Sequence, residues 1–427
     1  MKIKILLCIV YFLLFPYIIP MFFLEPLSHK NANIIPILNS QNEGVSNFNI
    51  TQSVTYEVEI DFSLTHKGGL SDYNFKIARL NNRTPYSQST KFTPPYQESI
   101  LLSNEISGYK ASEIKLGHHD RFNNTYDSFN ASPFLLETVT YHQKYEIILN
   151  AIKFNNIEVS EIGMYDMTDE MFVLYCNHSE LYYEKDDPTL IALSNSIIDL
   201  SDNPIEKANK ICNWVSENLE YNDNLPAEEK GALWAYNNLQ GDCSEYSSLM
   251  ITLLRIQGIP ARKVTGFLIS NNPLFKPRIN KTYSFHESYS DEYSSNVLRH
   301  AWVEYYVPLI GWIACDPTWN KNNDYFNNID YLRFNLNVGA HFFVPPSLSI
   351  SEFSNPSFSF NPSSIFEFTH NIDITVIDIE QNQHETSSDP FPFLPIIIIV
   401  GVFSVAVTVL VIVLRKSSKK GFDYNNY

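Results

Sequence analysis

Gly241-Asp242-Cys243-Ser244-Glu245-Tyr246-Ser247-Ser248-Leu249-Met250-Ile251-Thr252-Leu253-Leu254-Arg255-Ile256-Gln257-Gly258-Ile259-Pro260 reads as one helix with both ends marked. Asp242 is the N-cap, and Glu245, three residues on, completes a capping box. Tyr246, Leu249, Met250, Leu253 and Leu254 form one apolar stripe at helical spacing. Gly258 and Pro260 stop the helix. Cys243 is therefore at the first helical position, where unpaired N–H groups and the positive dipole end favour an anion. A thiolate is the nucleophilic form of cysteine, and this position lowers a thiol pKa. The same N–H groups can hold an oxyanion in acyl transfer. A single such cysteine is more often a core residue, so the chemical reading needs a base and a group to orient that base.

Both are available downstream. Arg299-His300-Ala301-Trp302-Val303-Glu304 opens a strand, Pro308 to Ile310 is a turn, and Gly311-Trp312-Ile313-Ala314-Cys315-Asp316 is the return strand. A three-residue turn pairs Val307 with Gly311 and sets Asp316 opposite Trp302. That leaves His300 one diagonal step away on the same face, about 7–8 Å at the backbone and within side-chain reach. A four-residue turn would shift the register by one and part the two residues, unless a bulge intervened. Tyr221 and Trp234 are upstream aromatics able to shape the oxyanion side. Cys212 lies on an apolar helical stripe and reads as packing, Cys315 points away from the Asp316 face, and Cys176 is uncommitted. With Cys243 free, at most one disulfide can form. His118-His119-Asp120 reads as a solvated loop more than a metal site. His286, Glu287 and His341 look exposed and stand in no motif.

Four blocks, Gly241 to Tyr246, Leu254 to Val264, His300 to Glu304, and Gly311-Trp312 with Asp316-Pro317-Thr318-Trp319, together closely resemble the transglutaminase-like superfamily, over roughly 185–335. The resemblance implies a Cys, His, Asp triad, carried here by Cys243, His300 and Asp316. It also implies an α+β, papain-like cysteine-peptidase core, with the Cys on a helix N-terminus packed against an antiparallel sheet holding His and Asp. The implied chemistry is attack by the Cys243 thiolate on an amide carbonyl of a protein or peptide, with His300 as base and then acid and Asp316 fixing its tautomer. The large extra domains and calcium loops of the cross-linking relatives are not visible, so hydrolysis is expected over cross-linking, with no cofactor or metal. A non-catalytic cell-surface binding or scaffolding module is the alternative. A papain-like protease fits less well, since its orienting residue is usually Asn.

The whole chain has 427 residues, with 30 Lys plus Arg against 47 Asp plus Glu, a formal charge of −17. That balance argues against nucleic-acid binding, which needs a basic face. The 14% aromatic content excludes a disordered chain. Residues 30–180 are expected to form a β-sandwich-like domain, on the alternation in Ser53–Leu64, Thr138–Leu149 and Glu158–Tyr165. The catalytic domain follows at 185–343. Residues 344–390 read as a stalk, except for one strand, Ile372–Ile379, that can dock on a neighbour. Residues 392–414 are long and apolar enough for a transmembrane helix, and the basic tail 415–427 places the C-terminus in the cytoplasm. Residues 1–25 read as a signal peptide or signal anchor. The catalytic domain is then extracellular on a single-pass or two-pass membrane protein, and sequons at Asn49, Asn82, Asn123, Asn130, Asn177 and Asn280 fit that side.

Overall fold

The computed structural model describes residues 48–381, except 85–92, 109–110, 156, 178, 226–228, 291, 322 and 340–356. The expected signal segment, the transmembrane helix at 392–414, the basic tail and His341 lie outside the described residues. No helix among the described residues is long and apolar enough to cross a membrane.

Six strands come first: β1 (Phe48–Gly68), β2 (Tyr73–Ala78), β3 (Gln97–Gly108), β4 (Ser112–His119), β5 (Thr125–Ala131) and β6 (Thr138–Phe154). The helical region follows, with α1 (Glu170–Cys176), α2 (Pro188–Ile197), α3 (Pro204–Asn218), β7 (Glu220–Tyr221), α4 (Ala232–Asn238), β8 (Gln240–Gly241) and α5 (Cys243–Ile256). Then come β9 (Ala261–Leu268), β10 (Thr282–Tyr289), β11 (Tyr293–Ser295), β12 (Arg299–Val307), β13 (Gly311–Cys315), β14 (Asn328–Ile329), β15 (Arg333–Val338), β16 (Ser357–Phe360) and β17 (Ile365–Gln381). The fold is mixed α and β, with strands in the majority.

The alternation in β1 works as a half-buried strand should: Val54, Tyr56, Val58, Ile60, Phe62 and Leu64 are all buried. β1 lies inside a seven-stranded sheet of order β11-β10-β17-β1-β6-β14, with β3 also on β6. A second sheet runs β16-β2-β5-β4, and a third runs β13-β12-β9-β15.

Three expectations differ from this architecture. Residues 365–381 are no stalk: β17 pairs with β1 from Gln52↔Gln381 to Gly68↔Ile365 and with β10 on its other side. The period-2 run extends upstream of Ile372, through Phe366, Phe368 and His370, all buried. Glu158–Tyr165 is not a strand. Its residues 159–161 make one tight helical turn, because the Glu161 carboxylate accepts the Glu158 N–H at 2.8 Å. And 30–180 contains a helix, α1, whose seven residues are too few to show a period.

The β-rich segments also pack on the β13-β12-β9-β15 sheet. Arg83 and Arg262 both pair with Glu304 on β12, and all three side chains are at most 2% exposed. Arg262 in turn stacks over Trp312, 3.8 Å from the ring centroid. Gln97 Nε2 donates to the Asn335 carbonyl at 2.9 Å, and Asn124 Nδ2 to that of Val338 at 2.8 Å.

Glu287, expected to be exposed, is fully buried. It pairs with Arg299 and with His370 Nδ1 (3.1 Å), and accepts from the Tyr293 hydroxyl at 2.5 Å. Burial opposes its charge, but the His370 hydrogen bond and the Arg299 charge outweigh it and hold the carboxyl down at about 2. A depressed carboxyl adds stability that is present above its unfolded pKa, near 4.5, and lost as pH falls toward 2. Glu287→Gln is therefore expected to cost about 3 kcal/mol at pH 7. In urea melts at stepped pH, the gap from wild type should narrow between pH 4.5 and 2. A gap that stays constant across that window would sink the assignment.

Candidate active site

α5 starts as its sequence requires. Asp242 Oδ1 accepts the Ser244 N–H at 2.7 Å, and its side chain also takes the Glu245 N–H. Glu245 returns the bond by accepting the Asp242 N–H at 3.1 Å, and its other oxygen accepts the Lys230 N–H at 2.8 Å. Burial, then the Asp242 charge, push the Glu245 carboxyl up to about 7. Gly241 is required here, since a Cβ on it would stand 2.4 Å from that of Glu245. The cap has a chemical consequence. Two N–H groups of the first turn are spent on Asp242, which leaves fewer for an oxyanion than the sequence suggested.

α5 is buried from Cys243 to Arg255 and packs against β12. Its first residue thereby meets the head of that strand: the Ala301 N–H, directly after His300, is near enough to the Cys243 thiol to favour its charged form. Cys243 is 6% exposed. Burial, then the Asp242 carboxylate, raise its thiol well above the ordinary value. The Asp316 charge adds to this, while the Ala301 N–H and Lys263 pull the other way. The helix-terminus effect expected from the sequence is thus outweighed by burial beside two carboxylates. At rest the thiol holds its proton.

The hairpin carries the other two residues. Val307 pairs with Gly311, the register of the three-residue turn, and the Leu309 φ of 69° lets the chain reverse. His300 Nε2 lies 2.7 Å from Asp316 Oδ2. Since Nε2 is held by the carboxylate, Nδ1 is the nitrogen left to exchange a proton with a thiol. Asp316 is fully buried. Burial opposes its charge, but His300 and Arg333 overcome that and hold the carboxyl far below the usual range. Its Oδ1 accepts the Thr318 N–H at 3.0 Å. The His300 ring lies between Trp319 and Trp302, with centroids at 5.7 and 6.1 Å.

Two further groups escaped sequence reasoning, Arg333 and the Lys263–Glu229 pair. Arg333 Nη2 donates to the same Asp316 Oδ2 at 2.7 Å, while Nη1 pairs with Asp330. Its one sequence signal is a basic residue heading a strand that turns out wholly buried. Lys263 and Glu229 form a buried ion pair, bridged by Ser248, whose hydroxyl donates to Glu229 at 2.7 Å and accepts from Lys263 at 3.0 Å. Of the upstream aromatics, Tyr221 sits beside Gly241 through the β7–β8 pairing. Its ring centroid lies 6.2 Å from that of Tyr246 on α5, and burial and the Cys243, Asp242, Asp223 and Asp316 charges push its phenol up. Trp234 is half-buried on α4.

The remaining candidates fall elsewhere. Cys212 and Cys315 are both buried in the core, with Cys315 Sγ 3.9 Å from Met250 Sδ. Cys176, Cys212, Cys243 and Cys315 are all free thiols. His118 and His119 end β4, and Asp120 Oδ1 is spent on the Phe122 and Asn124 N–H groups at 2.9 Å. His286 is exposed.

Residues 191–317 match the family model described as the transglutaminase-like superfamily. The uncharacterized protein YebA of Bacillus subtilis is 30% identical over 123 residues, 27% of this chain and 16% of that protein. A protein-glutamine gamma-glutamyltransferase of Pseudomonas aeruginosa is 33% identical over 85 residues, 20% of this chain and 11% of that one. The chain thus spans only a small share of these curated relatives. Among solved structures, one described as a candidate cysteine protease from Cytophaga hutchinsonii aligns with TM-score 0.48 at 14% identity, over 78% of this chain and 93% of that one. The periplasmic domain of TgpA from Pseudomonas aeruginosa aligns with TM-score 0.29 at 15% identity, over 65% and 95%. The capped helix, the hairpin and its His–Asp contact fall within or at the edge of the matched stretch, and residues 191–317 of this chain are a transglutaminase-like domain.

Proposed function

We propose that this chain is a thiol enzyme that breaks amide bonds of proteins or peptides through a Cys243–His300–Asp316 triad. The observation that carries the reading is the meeting of α5, which begins at Cys243, with β12, which carries His300 bonded to Asp316 (Nε2–Oδ2 2.7 Å). His300 Nδ1 takes the thiol proton as Sγ attacks the amide carbon. The oxyanion faces the Cys243 N–H. As the C–N bond breaks, His300 returns the proton to the leaving nitrogen, and a thioester remains. Water then attacks the thioester carbon, His300 takes its proton, and Sγ regains one on release. An amine in place of water would give transfer; hydrolysis is the preferred outcome here. The enzyme works outside the cytoplasm, held to the membrane by the apolar segment 392–414. Exposed sequon residues Asn82, Asn123, Asn177 and Asn280 support that side.

The covered thiol, 6% exposed, favours a second reading in which the groove only recognises its partner. The two are separated by incubating the reduced protein with a broad peptide library, with and without a small amine, against Cys243→Ala. Mass spectrometry is expected to show cleaved or deamidated peptides with wild type and at least about 1,000-fold less product with the variant. Amine-bearing peptides as the main product would replace hydrolysis by transfer. No Cys243-dependent product from folded protein would leave the recognition module.

A further inference from the structure

We propose that Arg333 is a positioning residue of this site, sharing one carboxylate oxygen of Asp316 with His300 so that the imidazole stays neutral and able to act as base. The proposal rests on the triad reading above. Two donors, Arg333 Nη2 and His300 Nε2, meet Asp316 Oδ2 at 2.7 Å each. Arg333 cannot drift from this post. Nη1 is paired with Asp330, whose carboxylate also accepts the Tyr325 hydroxyl at 2.6 Å. The guanidinium lies 4.3 Å from the Trp319 ring centroid and 4.6 Å from that of Tyr325. Trp319 is the same ring that packs on His300.

A carboxylate facing only an imidazole stabilises the imidazolium and so favours a protonated His. Here a permanent guanidinium charge already claims that oxygen, so less of the carboxylate field is left for an imidazolium. The other ionisable groups facing the pair act on the thiol side: Asp242, Tyr221 and Lys263.

The test is the rate at which iodoacetamide alkylates Cys243 in the full chain, followed by mass spectrometry across pH. Arg333→Gln is expected to move the acid limb of the rate profile up by about one pH unit and to slow the reaction about tenfold on that limb. Arg333→Lys should return the limb toward wild type, and Arg333→Gln should move nothing in an Asp316→Asn background. Should Arg333→Gln not fold, Asp330→Asn takes its place. It frees more of the guanidinium charge for Asp316 and should move the limb to lower pH. A uniform slowing with no shift of the limb, or a shift opposite to those stated, overturns the proposal. The parent reading fails separately, by a wild-type profile that His300→Ala leaves unchanged.

Discussion

Asp316→Asn is expected to lower turnover by about 10,000-fold while the protein keeps its fold. In wild type, Oδ2 accepts from both His300 and Arg333, and Oδ1 accepts from Thr318. An asparagine has one acceptor oxygen and one NH2 group. With its oxygen kept toward Thr318, the NH2 faces two donors. His300 must then accept at Nε2, so its proton sits on Nδ1, the wrong side for taking one from Cys243. With the amide turned the other way, the NH2 opposes the Thr318 N–H. Neither orientation serves all three contacts. Steady-state rates on a peptide found in the library screen, with circular dichroism as the fold check, decide the matter. A loss below about tenfold would show that Asp316 does not set the tautomer.

Glu304→Ala is expected to be the most destabilising single change in the molecule, at about 3–5 kcal/mol. Glu304 is the shared carboxylate of Arg83 and Arg262, and all three are buried. Burial opposes its charge, but the two guanidinium charges hold its carboxyl below the usual range. Removing it leaves two cations buried and short of a partner. Against a typical stability of about 5–15 kcal/mol, that loss approaches unfolding at growth temperature. Urea melts measure it directly. Arg83→Met in the Glu304→Ala background should recover part of the loss, because it removes one of the stranded charges. A loss under about 1 kcal/mol would mean that water reaches the site.

The α5 helix and the His300–Asp316 hairpin were legible because their signals are local. Asp242 and Glu245 cap within three residues, and the 308–310 turn sets the Val307–Gly311 register within five. What stayed hidden depends on partners far away in sequence. Arg333 reads as an ordinary strand residue until Asp316 is seen beside it. Glu287 looks exposed because Arg299 and His370, which neutralise it, come from two other strands. The resting state of Cys243 was misjudged for a related reason. A helix N-terminus is visible in sequence, whereas burial and a second carboxylate, Asp316, are supplied by the tertiary fold.

The place of β17 bears on how the chain folds as it is made. β1 and β17 are sheet neighbours although Ser63 and Thr369, bonded through their hydroxyls at 2.7 Å, are 306 residues apart. At roughly 5–20 residues per second of synthesis, β1 waits about 15–60 s for this partner. Throughout that wait one long edge of β1 presents unpaired backbone groups, the kind of edge that recruits other strands. The segments on either side of the helical region must therefore mature together, and until β17 is made the β1 edge is open to stray strand pairing.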